Sequence, residues 1–497
     1  MALPIRLKSW WPAAAGLLAA CGEAPLNLWP LSIAGFALLF HAQRRSASAR
    51  QGFGAGWRFG FGYFLFALFW IVDPFMVDPA RDGWMAPFAL VFMAGGLALF
   101  WGAALALAQR LAPANRLRQL LAFAGSLTLI EALRGWIFTG FPWAEIGQNL
   151  IPSPALPLAS LIGPHGMTLV LLLLAGLLGA AARGMALLGV LGTAGFVFLA
   201  PRALPPAPVA TDTAPLIRLV QPNAQQREKW DPDMVPVFFE RLLNYSAEAP
   251  RPDLILWPET SVPYLLNEGR ALTSILADHT HGAPIAFGVQ RTEGARYYNS
   301  LALLDGQGKL IETYDKHHLV PFGEYIPFGD LMAKIGISAF AAQSGNGFSA
   351  GPGPRLMPIP GVGTALPLIC YEAIFPRDIR NAPARPDFLL QVTNDGWFGN
   401  LQGPYQHLAQ ARMRAAEQGL PFVRVANTGV SALIDARGQV LDTLPLNTDG
   451  YLDVRLPPAL PPTLYARTGD LPILLLAFLA LGVSALWSVH RAFIRRS

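Results

Sequence analysis

Eight long apolar segments interrupt this chain, and they limit its possible folds more than any other feature. Seven lie at roughly 10–22, 26–42, 57–73, 85–108, 119–138, 155–181 and 185–200, and the eighth runs from about 471 to 489. A helix needs about 20 apolar residues to cross a bilayer, fewer if it is short or interfacial. The pattern predicts a multi-pass helical membrane domain with about 8 transmembrane helices. The first two segments also suit a re-entrant hairpin. Only 14% of the residues are charged, against about 25% in ordinary soluble domains. The deficit is concentrated before residue 200, so the middle of the chain has a globular composition.

The charged residues in the loops and at the ends of these segments carry the orientation. Arg6 and Lys8 precede the first segment. Arg44, Arg45, Arg50 and Arg58 follow the second, Arg110, Arg116 and Arg118 follow the fourth, and Arg183 follows the sixth. Arg491, Arg495 and Arg496 end the chain. The alternate loops hold Glu23, Asp73, Asp78, Asp82 and a single arginine, Arg81. Basic loops stay on the cytoplasmic side. Both termini are therefore expected in the cytoplasm, with the large domain between segments seven and eight on the other face. The net charge of +5 is spent on these loops and does not mark a nucleic-acid surface.

Three regions follow: 1–205 as the membrane domain, 215–456 as an extracytoplasmic catalytic domain, and 457–497 as linker, last helix and basic tail. The Pro-rich run from Pro201 to Pro215 reads as an extended, semi-rigid connector. Beyond it, β-rich runs recur at Leu216–Asn223, Leu254–Trp257, Pro284–Val289, Asn299–Leu304, Ala365–Cys370, Phe388–Val392, Pro421–Ala426 and Gly429–Ile434. Helical stretches such as Asp233–Ala247 and Gln406–Gln418 fall between some of them. Strands alternating with helices predict an α/β domain.

There are two cysteines, Cys21 and Cys370. They make no disulfide framework, and no metal-ligand spacing accompanies them. Leu18-Ala19-Ala20-Cys21 resembles a lipoprotein cleavage site, but a small-residue membrane helix with a chance cysteine explains it better. Cys370 ends the apolar run Leu366-Pro367-Leu368-Ile369 and is followed at once by Tyr371 and Glu372. A strand ending in a sharp turn would present its sulfur at the tip. Two further stretches end in the same way: Leu256-Trp257-Pro258-Glu259 and Tyr314-Asp315-Lys316. A glutamate, a lysine and a cysteine together can run acyl transfer. The carboxylate takes the thiol proton, the cation lowers the thiol pKa, and the ammonium stabilises the oxyanion of a tetrahedral intermediate.

These residues occur within longer motifs: Trp-Pro-Glu at 257–259, Tyr-x-Lys-x-His-Leu-Val-Pro-Phe-Gly-Glu at 314–324, Cys-Tyr-Glu at 370–372, and Asn-Asp-Gly-Trp-Phe-Gly at 394–399. The domain resembles the carbon–nitrogen hydrolase (nitrilase) superfamily. The whole chain resembles its membrane-bound branch, the apolipoprotein N-acyltransferases. The resemblance implies a nitrilase-like αββα sandwich, with Glu259 as base, Lys316 as oxyanion and charge partner, and Cys370 as nucleophile. It implies Glu324, Tyr371 and Glu372 as supporting residues, the Tyr371 N–H being an oxyanion donor, and Trp230 and Trp397 near the substrate. Implied partners are a phospholipid acyl donor, typically phosphatidylethanolamine, a diacylglyceryl-apolipoprotein acceptor and the bilayer of the bacterial inner membrane. The resemblance implies no cofactor.

Other features have plainer readings. His317 and His318 look like bases, but Glu259 fills that role, so they are read as structural. His407, Gln410, Arg414 and Glu417 share one helix face and read as a buried polar pairing. Asp330–Gly353, with its glycines and apolar side chains, is expected to act as a lid at the bilayer. Two rival functions remain at this level: a membrane-tethered amidase acting on a small amide, and an inactive lipid-binding scaffold. The eight segments speak against the first, and the complete Glu259, Lys316 and Cys370 set against the second.

Overall fold

The computed structural model describes residues 9–112, 115–268, 270–327 and 347–494. By its internal contacts the chain forms two compact units. One contains residues up to Pro206, Leu401–Gln418 and Pro462 onward. The other contains Ala207–Asn400 and Gly419–Pro461.

The first unit is helical. Each of the eight apolar segments coincides with a helix: Trp11–Ala20, Trp29–Arg45, Ala49–Ala67, Ala86–Leu111, Arg116–Arg134, Ala159–Gly179, Arg183–Ala194 and Leu471–Ile494. The expectation of about eight crossings is met only in part. Among the described residues, Pro79–Leu111, Leu156–Gly179 and Arg183–Ala203 are long and apolar enough to span. Ala49–Ala67 with Phe69–Met76 makes a fourth if the bent pair is one span. Trp11–Ala20 and Leu471–Ala485 are apolar but shorter. Arg116–Arg134 carries three buried charged groups of its own, Arg118, Glu131 and Arg134.

Close backbone approach holds this bundle together. A Cβ on Gly62 would stand 2.1 Å from the Ala13 carbonyl oxygen, so only glycine lets the two helices meet there. Buried charges in the bundle find polar partners, as an apolar surrounding requires. Arg134 Nε and Nη2 each donate to Glu131 at 3.0 Å, and Trp101 Nε1 donates to the same carboxylate at 2.7 Å. The helix Gly403–Gln418 belongs to this unit: Trp143 Nε1 donates to Gln406 Oε1 at 2.7 Å. Its Arg414 and Glu417 pair at 2.6 Å, both fully buried. That is the buried polar pairing expected for this helix face.

The second unit is α/β with two six-stranded sheets. In chain order the strands are β1 Leu216–Gln221, β2 Leu254–Leu256, β3 Ile285–Glu293, β4 Arg296–Leu304, β5 Leu310–Asp315 and β6 Met357–Ile359. They continue with β7 Gly363–Ile369, β8 Phe388–Thr393, β9 Phe422–Ala426, β10 Ser431–Ile434, β11 Val440–Leu444 and β12 Gly450–Arg455. The sheet orders are β12-β1-β2-β3-β4-β5 and β11-β10-β9-β8-β7-β6. Parallel pairing runs through β1-β2-β3 and through β7-β8-β9. β8 and β9 are buried along their whole length, as parallel central strands are.

The helix Val235–Ala247 buries Phe238, Leu242 and Ser246, one face at a four-residue spacing. Leu242 and Leu243, with Leu272 and Leu276 of the helix Arg270–His279, pack on Ile255, Phe287 and Val289 of the first sheet. Trp257 lies in this core and donates its indole N–H to Ser246 Oγ at 2.8 Å. The position just after β2 is thereby fixed.

Candidate active site

The chemistry-bearing residues gather at the carboxyl ends of strands, where open α/β sheets bind their ligands. Glu259 follows β2, Lys316 follows β5, Cys370 follows β7, and Asn394 follows β8.

The Glu259 turn is tightly made. Gly288 N donates to the Pro258 carbonyl at 3.2 Å, and Ser261 N donates to the Gly288 carbonyl at 2.9 Å. A Cβ on Gly288 would stand 2.5 Å from Glu259 Cα, so β3 can approach this turn only with glycine there. Thr260 takes φ +43°, a strained conformation for a β-branched residue. The Glu259 carboxylate is buried and fully engaged. Asn299 Nδ2 donates to Oε1 at 2.7 Å, Lys316 Nζ to Oε1 at 3.4 Å, and the Asn394 backbone N–H to Oε2 at 2.9 Å. The last of these ties the first sheet to the second.

Lys316 is 1% exposed. Its ammonium donates to Glu324 Oε1 at 2.8 Å, closer than to Glu259. Burial works against the charge, but Glu324, Glu259 and Cys370 together push its pKa above the ordinary lysine value. Glu324 also accepts from the Val320 N–H at 2.9 Å, which closes its loop. Most of the expected lid, through residue 346, lies outside the described residues. Its returning end is pinned here, with Phe348 N donating to the Glu324 carbonyl and Gly351 N to the Lys316 carbonyl, both at 2.8 Å.

Cys370 opens the short turn Cys370–Ile374 with φ +51°. A non-glycine residue in that region stores about 1–3 kcal/mol of strain and is held by its surroundings. Gln391 Nε2 supplies one such hold, donating to the Cys370 carbonyl at 2.9 Å. The thiol is 5% exposed. Burial pushes its pKa up, and the Glu259 carboxylate adds to this. Lys316 and the Thr393 hydroxyl pull it down by less. The expected lowering by a neighbouring cation is thus corrected: desolvation outweighs the lysine, and the resting group is the thiol.

Glu372 is fully buried and holds the backbone of the site. It accepts from Ile369 N at 2.7 Å, His317 N at 2.7 Å, His318 N at 3.2 Å and the Tyr314 hydroxyl at 3.0 Å. The strand ends before Cys370 and around Lys316 therefore share one carboxylate. His317 also faces this carboxylate at 2.6 Å, and His318 pairs with Asp378 at 2.7 Å while stacking on Phe375. Both histidines face buried carboxylates. Tyr371 is buried against His318 and Phe375. Trp230 is 39% exposed and lines a cleft with Thr260, the neighbour of Glu259. Trp397 is half-buried on the turn Asp395–Trp397.

Four residues here were not singled out by the sequence. Asn299, on β4, holds both Glu259 and Glu324. Its signal is a lone asparagine in an apolar strand. Asn394 lies in a quoted motif without an assigned role. Thr393 and Lys229 gave no pattern that would select them.

Comparison with known proteins identifies the family. A family model described as the apolipoprotein N-acyltransferase N-terminal domain matches residues 15–177, and one described as carbon-nitrogen hydrolase matches 216–460. The chain is 40% identical over 427 residues to an apolipoprotein N-acyltransferase of Rhizobium etli (strain CIAT 652), covering 81% of this chain and 79% of that one. It is 38% identical over 521 aligned positions to the one of Bradyrhizobium diazoefficiens, covering 97% and 96%. To that of Rhodopseudomonas palustris it is 38% identical over 501, covering 94% and 92%. The chain, from its apolar helices through its two-sheet domain, belongs to the apolipoprotein N-acyltransferase family.

Proposed function

We propose that this chain moves an acyl group from the sn-1 position of a membrane phospholipid, phosphatidylethanolamine being the expected donor, to the α-amine of a diacylglyceryl-cysteine at a lipoprotein N-terminus. The observation that carries the reading is the convergence of Glu259 and Lys316 from one sheet with Cys370 from the other, in a buried and hydrogen-bonded site.

In the first half-reaction Glu259 takes the proton from the Cys370 thiol. The thiolate bonds to the ester carbonyl carbon, and Lys316 and the Tyr371 N–H receive the oxyanion. The ester C–O bond then breaks, and the glycerol oxygen leaves as a lysophospholipid hydroxyl with the proton from Glu259. In the second, the neutral α-amine bonds to the thioester carbon, the C–S bond breaks, and an amine proton returns through Glu259 to sulfur. A thioester divides one hard transfer into two easier ones and survives only where water is excluded. Glu324 and Glu372 support the site, and Trp230 and Trp397 flank the substrate.

In this reading the apolar helices make about eight crossings, the first two as separate spans or as one re-entrant hairpin. The membrane domain covers 1–205, the catalytic domain 215–456, and the last helix and tail 457–497. The catalytic domain faces away from the cytoplasm, in the periplasm, and both termini face the cytoplasm. The amidase alternative is not favoured, because the relatives are acyltransferases along both halves of the chain.

Mass spectrometry of the Cys370 peptide, after incubation of the solubilised protein with native phospholipid, tests the mechanism. The expected result is a mass increase equal to one fatty acyl group, removed on adding a diacylglyceryl peptide with a free α-amine. An unmodified Cys370 in an enzyme that still transfers acyl groups would overturn it.

A further inference from the structure

A second lysine is buried beside the site, and the mechanism above does not use it. Lys229 is 7% exposed. Its Nζ donates to the Thr260 hydroxyl at 2.9 Å and to the Glu259 backbone carbonyl at 3.3 Å. Lys316 therefore engages Glu259 through its side chain while Lys229 engages it through its backbone.

The segment that delivers Lys229 is stitched in place. Asn427 Nδ2 donates to the Ala224 carbonyl at 2.8 Å, and Ala224 N donates back to Asn427 Oδ1 at 2.9 Å. Asn394 Nδ2 donates to Gln226 Oε1 at 2.8 Å. The turn carrying Lys229 is thereby bound to the ends of β8 and β9, beside Asn394, which itself donates to Glu259. The ammonium lines a cleft whose walls include Trp230, Phe238, Phe239 and Pro263. It lies 5.4 Å from the Trp230 ring centre.

Burying an ammonium costs several kcal/mol unless its charge is used. A methionine would fill the same volume without that cost. The charge has a use here. Once Glu259 has taken the thiol proton, Glu324 and the Cys370 thiolate set two negative charges against the single positive charge of Lys316. Both Glu259 and Cys370 act electrostatically on Lys229. We propose that Lys229 is a positioning residue of the acyl-transfer site: its buried ammonium fixes the strained Glu259–Thr260 turn and supplies the second positive charge that makes a Cys370 thiolate tolerable.

This inference rests on the acyl-transfer reading and deepens it. Burial lowers the Lys229 pKa to about 8, with Glu259 and then Cys370 opposing the fall. Its other neighbours, Thr260, Ser261, Asn427 and the Trp230 ring, carry no formal charge. The second charge is thus present below about pH 8 and lost above it.

The test measures alkylation of Cys370 by iodoacetamide across pH 6–10, in the full-length protein carrying Cys21→Ala. Lys229→Met should slow alkylation at pH 7 by about tenfold, the size of a one-unit rise in thiol pKa. In the parent the rise in rate with pH should flatten near 8, as Lys229 loses its charge. Lys229→Arg keeps its charge at every pH tested and should show no flattening there. Equal rates and an unchanged profile in Lys229→Met would overturn the proposal. If that variant does not fold, the parent and Lys229→Arg still decide: identical profiles refute it. Alkylation uses no lipid, so its outcome stands apart from the acyl-enzyme measurement. A parent that never forms an acyl-enzyme refutes the transfer reading whatever Lys229 does.

Discussion

At the scale of residues, the proposed mechanism starts from a buried thiol that must be activated on demand. Burial, and after it Glu259, holds the Cys370 proton on, so the carboxylate proposed to take that proton also contributes to the raised pKa. Cys370→Ser should abolish the thioester and cut transfer at least about 10³-fold, because removing a nucleophile disables the whole constellation. Wild-type turnover in that variant would refute the nucleophile. Cys21→Ala should leave transfer intact, since the Cys21 thiol donates only to the Leu17 carbonyl of its own helix. A strong loss would give Cys21 a role. Gly288→Ala tests the base from the other side. Its Cβ would meet the Pro258 carbonyl oxygen at 2.4 Å and displace Glu259. Transfer should fall roughly 10²-fold, the cost of a misplacement of about 1 Å. Stability should fall by only about 1–3 kcal/mol. A thermal melt beside an activity assay separates the two, and unchanged activity would show that the turn can yield.

At the scale of elements, the sequence announced the central strands and stayed silent on those that close the sheets. The strands it missed, β5, β6, β11 and β12, are the four edges. An edge strand pairs on one side only and has no need of an apolar run. β5 and β11 leave most of their residues partly or fully exposed, and β6 holds Pro358. Lys316 could be picked out only from its motif, because the strand before it has no clear pattern. Asn299 and Lys229 were illegible for another reason: their roles are set by partners 40 and 30 residues away in sequence. The short turn after β7 offers a test at this scale. His317 is raised to about 9; burial opposes this, and the Asp378 and Glu372 carboxylates outweigh it. A histidine raised in the folded state stabilises it fully below its unfolded pKa of about 6.5, and the contribution is lost as pH rises through about 9. His317→Gln should therefore cost on the order of 1–2 kcal/mol at pH 6 and almost nothing above pH 9. A difference in melting temperature that does not change with pH would show that His317 is neutral throughout.

At the scale of the whole molecule, the loop arginines predict which side of the membrane the catalytic unit occupies. A reporter active only after export, fused near Leu216, should be active. Activity only from a cytoplasmic reporter would reverse the orientation and remove access to exported lipoproteins. The chain also resists being cut into parts. It passes from one compact unit to the other at residue 206, returns for Leu401–Gln418, and returns again at Pro462. The excursion between β8 and β9 carries Gln406, His407, Arg414 and Glu417, all buried. A secreted fragment spanning 207–461 would keep that helix but lose Trp143, the partner of Gln406, and would expose polar groups matched to absent neighbours. The two halves are therefore poor material for domain shuffling. A chimera with a soluble relative would have to exchange this internal helix together with both ends of the chain, as a single inheritance.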